Sequence, residues 1–131
     1  MMTEYEPAAH QAKDDQRLVL GRKMLSAQEA IASKFGSHFA ANIALELMLE
    51  LFLAAAGDEG ITANEAIRRR GRSANVTWRW IVALQDDGLV QLADGGRSGV
   101  LALTSRGVDR IGATIDAFGD SVGLSATGGP S

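Results

Sequence analysis

Cysteine is absent from this 131-residue chain, which excludes disulfides, thiolate zinc sites and thiol nucleophiles. A reducing interior is compatible with that. Histidine is scarce: His10 sits in a polar N-terminal stretch and His38 in the link before the most apolar segment, so neither joins a metal-ligand cluster. Residues 1–16 are polar and mixed in charge and lack the apolar core of a signal peptide, so the chain reads as cytoplasmic. No membrane span is expected either. The most apolar run, residues 43–56, falls short of the roughly 20 residues a spanning helix needs and contains Glu46 and Glu50. Those two carboxylates stand at i and i+4 but have no histidine beside them, and they read as a solvated face. Gly57, Gly60, Gly95 and Gly96 lack the strand-glycine-helix context of a phosphate cradle. No catalytic constellation is found, so the chain is not read as an enzyme and no cofactor is called for.

What is present fits one modest globular domain, with 46% apolar and 22% charged residues. The net charge of -3 is unevenly spread. Residues 1–61 hold five Lys/Arg against nine Asp/Glu, residues 62–110 hold eight against five, and residues 111–131 hold none against two. A local basic surplus matters more than the global sign for any phosphate-binding face.

Residues 1–15 read as a flexible tail, residues 16–119 as the single domain, and residues 120–131 as a second flexible tail. Leu20, Met24, Ala27, Ile31 and Phe35 recur at helical spacing, with Gly36 as a stop signal. Residues 41–56 give the strongest helix, apolar on most sides and therefore central. Thr62-Ala63-Asn64-Glu65 matches a capping box, so a short helix begins at Thr62 and ends at Gly71. Ser73 caps the next helix, which packs through Thr77, Trp80, Ile81 and Leu84 and stops at Gly88. Trp78 cannot share that face and reads as packing elsewhere. Residues 89–92 and 100–103 alternate as the strands of a hairpin, and Thr104 or Ser105 caps a last helix with Val108, Ile111, Ile115 and Phe118 inward. Gly107 and Gly112 weaken that helix, which then depends on packing. The fold class is mostly α with a small β-hairpin wing, an α+β winged helix-turn-helix with flanking N- and C-terminal helices.

The residues Ala44-Leu45-Glu46-Leu47-Met48-Leu49-Glu50-Leu51-Phe52-Leu53-Ala54, then Arg79-Trp80-Ile81-Val82-Ala83-Leu84, Asp87-Gly88-Leu89-Val90 and Leu103-Thr104-Ser105-Arg106-Gly107 carry a likeness. Over roughly residues 43–118 the chain resembles small bacterial winged-helix proteins of the MarR type. The resemblance implies a sequence-specific double-stranded DNA-binding transcription regulator, a homodimer through its terminal helices, and room for a small-molecule effector. Its wing departs from the family in offering a single arginine, Arg97, within residues 94–99.

Arg68, Arg69, Arg70 and Arg72 form the densest basic cluster, suited to phosphates or to a solvated helix end near the carbonyl-rich terminus. Ser73, Asn75, Val76 and Arg79 face outward at the start of the second helix. Arginine can bridge guanine O6 and N7, asparagine adenine N6 and N7, and Val76 can touch a thymine methyl. Arg97 at the hairpin tip suits the minor groove or the flanking backbone. The alternative is a winged-helix adaptor that uses the same surface for protein contact without DNA.

Overall fold

Fourteen-residue α2 (Ile43–Ala56) is apolar enough to be surrounded on nearly every side, and the remaining elements are arranged around it. The computed structural model describes residues 5–35 and 42–123, without the side chains of residues 5–12, Ala32 and Phe35. In chain order the described elements are α1 (Tyr5–Phe35), α2, β1 (Ile61–Thr62), α3 (Ala63–Arg70), α4 (Ala74–Asp86), β2 (Val90–Leu92), β3 (Val100–Leu103) and α5 (Ser105–Ser121). The architecture is mostly helical with a small antiparallel sheet, of order β1-β3-β2. Leu47 and Leu49 of α2, Ile61, Ile81 of α4, and Ile111 and Ile115 of α5 are fully buried and form the heart of the core. Among the described residues no helix is long and apolar enough to cross a membrane.

Local signals end each element as the chemistry requires. Thr62 Oγ1 accepts from the Glu65 amide at 3.1 Å while the Thr62 amide donates to Glu65 Oε1 at 2.9 Å, so the capping box forms. Gly71 closes α3 at φ 65°, a left-handed conformation that glycine adopts without cost. The hairpin pairs Val90 with Leu103 and Leu92 with Leu101. Strand β1, which two residues are too short to announce by alternation, pairs Ile61 with Leu101 on the other edge of β3. The Ala63 and Asn64 amides extend that pairing by donating to the carbonyls of Gly99 and Arg97.

Three expectations are corrected. Residues 1–15 were expected as a tail, yet α1 begins at Tyr5: helix formers such as Ala8, Ala9, Gln11 and Ala12 sustain a helix there without an apolar stripe. Trp80 was expected in the core but is 42% exposed, because α4 rolls toward the hairpin and half-buries Trp78 and Val82 instead. Val108 is likewise exposed, leaving Ile111 and Ile115 to face inward. Gly36, His38, the side chain of His10 and residues 124–131 of the C-terminal tail lie outside the described residues.

The glycines of α5 mark close approaches. A Cβ at Gly107 would collide with the carbonyl of Leu89, where the chain leaving α4 crosses the start of α5. The same corner is tied by the Thr104 hydroxyl, which donates to Gly88 O at 2.6 Å and accepts from the Gly107 amide at 3.0 Å. Farther along, a Cβ at Gly112 would come within 2.9 Å of the Arg17 guanidinium, which reaches from α1 to donate to both carboxylate oxygens of Asp116 at 3.0 and 2.7 Å.

Two outcomes are expected. Gly107→Ala should destabilise the fold by about 1–3 kcal/mol in urea unfolding, because backbone on both sides of the clash resists displacement. Arg17 holds the Asp116 carboxyl below its usual range. That contribution is present above the ordinary aspartate value and lost as pH falls through the lowered folded value. Both side chains are partly exposed, so it amounts to about 1 kcal/mol or less. Asp116→Asn should therefore be less stable than the parent at neutral pH, with the difference closing in acid.

Candidate nucleic-acid interface

Helices α3 and α4 meet at the Gly71 turn, and Ser73 starts α4 by accepting from the Val76 amide at 3.4 Å. Thr77, Ile81 and Leu84 bury one side of α4 against the core. Ser73, Asn75, Val76 and Arg79 are exposed on the other side, together with Trp80 and Ala83. The outward set expected from helical spacing is thus brought together on one surface.

The basic cluster divides. Arg68 is exposed and makes no ion pair among the described residues. Arg69 is partly exposed and spans Glu50 at 3.2 Å and Glu59 at 2.9 Å. Arg70 is neither an open phosphate anchor nor a solvated helix end. Its side chain is 7% exposed and contacts Glu46 at 3.2 Å and Glu50 at 3.1 Å, with Glu29 of α1 at 3.9 Å. Arg72, in the turn, reaches the other oxygen of Glu46 at 3.0 Å and is itself mostly buried.

Glu46 and Glu50, expected on a solvated face, are therefore corrected to buried groups. A carboxylate in the interior is tolerated only with a cation and hydrogen bonds beside it, and the arginine run supplies them. Burial pushes the Glu50 carboxyl above its usual range, against the pull of Arg70 and Arg69. Periodicity could not reveal this pairing, because the partners lie on different helices. The signal available was chemical: two glutamates on an otherwise apolar helix and four arginines within five residues of chain.

The hairpin folds back on the same region. The guanidinium carbon of Arg97 lies 5.0 Å from the centre of the Trp78 ring, a cation–π contact that explains why Trp78 rather than Trp80 is covered. The Arg97 carbonyl also accepts from the Asn64 amide at 2.8 Å. The hairpin loop is thereby fastened to the start of α3 and to the flank of α4, and Arg97 is half-buried.

A cavity of about 470 Å³ opens between α1, α2 and β3. Leu18, Phe52, Leu101 and Val108 supply its apolar lining, with Arg17 and Asp14 at its polar end. No protein-family model, curated protein or solved structure matches this chain.

The buried ion pairs predict a large effect from a small change. Glu46→Gln leaves Arg70 and Arg72 short of a counter-charge and should cost about 3–5 kcal/mol in urea unfolding. Adding Arg72→Gln should recover part of that loss, since Glu46 is the carboxylate that Arg72 contacts while Arg70 keeps Glu50. A double variant no more stable than Glu46→Gln alone would contradict the assignment.

Proposed function

We propose that this chain is a winged helix-turn-helix protein of MarR-like type that binds double-stranded DNA in a sequence-specific way and regulates transcription. The observation that carries the reading is the exposed start of α4, where Ser73, Asn75, Val76 and Arg79 share one surface next to the exposed Arg68. Such a helix lies in the major groove, with its N-terminal turns against base edges and the hairpin toward the flanking backbone. The element order α2-β1-α3-α4-β2-β3, with β3 central in the sheet, supports the winged arrangement.

Roles follow from the geometry. Asn75 and Arg79 are the base readers, Arg68 and the open edge of Arg69 meet phosphates, and Arg97 approaches the backbone from the hairpin. Arg70 and Arg72 act from behind, setting the angle between α3 and α4 through Glu46 and Glu50. The α1 and α5 helices, which pack on each other, are the elements through which a homodimer would form. The cavity beside Leu18 and Phe52 is the room for a small-molecule effector.

Genomic selection of fragments by the purified protein tests the proposal, and enrichment of a two-fold motif is the expected result. On that motif, Arg79→Ala should cost about 1–3 kcal/mol and relax base preference. Arg68→Ala should weaken all duplexes alike and lower the salt slope by about one. Binding of a protein partner through the same surface, insensitive to salt and without any DNA enrichment, would instead favour the adaptor reading.

A further inference from the structure

On α4, Val76, Trp80 and Ala83 follow one another at i, i+4 and i+7, so they form a single stripe along the helix. All three are exposed, Val76 by 38% and Trp80 by 42%, on a helix whose buried side is already complete. Trp80, open beside Arg79 and Asn75, is not among the residues packed on the core. The exposed charges nearby are cationic: Arg68 and Arg79 are open, and the carboxylate of Glu65 is engaged in the α3 capping box. Along α4 no carboxylate precedes Asp86, so nothing on this stripe repels a polyanion.

We propose that the Val76–Trp80–Ala83 stripe reads thymine methyl groups in the major groove, making Trp80 a specificity-determining residue beside Asn75 and Arg79. The inference rests on the DNA-binding reading above and names the bases that reading leaves open. The thymine C5-methyl is the largest apolar group that unmodified base edges present in the major groove, where cytosine offers only a C5–H and the remaining edges are mainly hydrogen-bond donors and acceptors. An apolar stripe laid in that groove is best matched by that methyl. Polar edges placed against Val76 or the faces of the Trp80 ring would lose water without gaining a hydrogen bond, the indole N–H at the ring edge being the one donor of the stripe's side chains. The bound site should therefore carry thymines in register with the stripe, next to the adenine or guanine contacted by Asn75 or Arg79.

The test uses a duplex bearing the motif enriched by genomic selection, made once with thymine and once with deoxyuridine at every thymine position. Backbone charge and Watson–Crick pairing are the same in both, and only the methyl groups are missing from the second. The full-length protein should bind the uracil duplex about fourfold more weakly for each methyl contacted, from the burial of one carbon-sized apolar group. The salt slope should not change. Trp80→Ala, whose fold is checked by circular dichroism, should lose most of the thymine preference, and Val76→Ala part of it. Equal affinity of the unmutated protein for the two duplexes overturns the inference and leaves the DNA-binding reading standing. Failure to enrich any motif overturns both. A Trp80→Ala protein that weakens on both duplexes by one factor, keeping the preference, removes Trp80 from methyl recognition.

Discussion

The ion pairs between α2 and the α3–α4 turn are the constraint on which the rest of the molecule depends. Glu46 and Glu50 lie on the most apolar helix of the chain, and they are buried along with it. An isolated carboxylate there would cost several kcal/mol, a large part of a domain's stability margin, or be forced to take up a proton, so cations accompany the helix inward. Arg70 and Arg72 do so, and because they end α3 and occupy its turn, their position sets where α4 begins. Removing the pairing would free the end of α3 and, with it, the helix that follows.

Surface chemistry is a consequence of that arrangement. The basic surplus of residues 62–110 is partly spent inside the molecule, which leaves Arg68 and Arg79 as its open cations near α4. The hairpin makes a related demand on the opposite flank. Arg97 stacks on Trp78 and pulls that side of α4 inward, and the roll turns Trp80 out. A surface that began as a charged cluster in the sequence thus becomes a mixed one, with an apolar stripe beside the polar Asn75 and Arg79.

Much of the local architecture was legible in the chain. Thr62 and Glu65 announce the start of α3, Gly71 its end, Ser73 and Gly88 the limits of α4, and Thr104 the start of α5. Each of these signals acts over a few residues, which is why sequence spacing can express it. Strand β1 was not legible, because its two residues owe their conformation to the free edge of β3 rather than to any pattern of their own. The early start of α1 was missed for the converse reason: helix propensity acts there without an amphipathic stripe to reveal it.

By itself, then, the sequence determined where helices begin and stop, that α2 is central, and that Thr77, Ile81 and Leu84 turn inward. Caps, turns and helical periodicity are short-range effects, and they need no distant partner. Only the tertiary structure decided which arginines are buried and which remain open, and which of two tryptophans is covered. Those outcomes depend on groups far apart in the chain, Glu46 with Arg72 and Trp78 with Arg97. The balance between desolvation and pairing exists only once they meet.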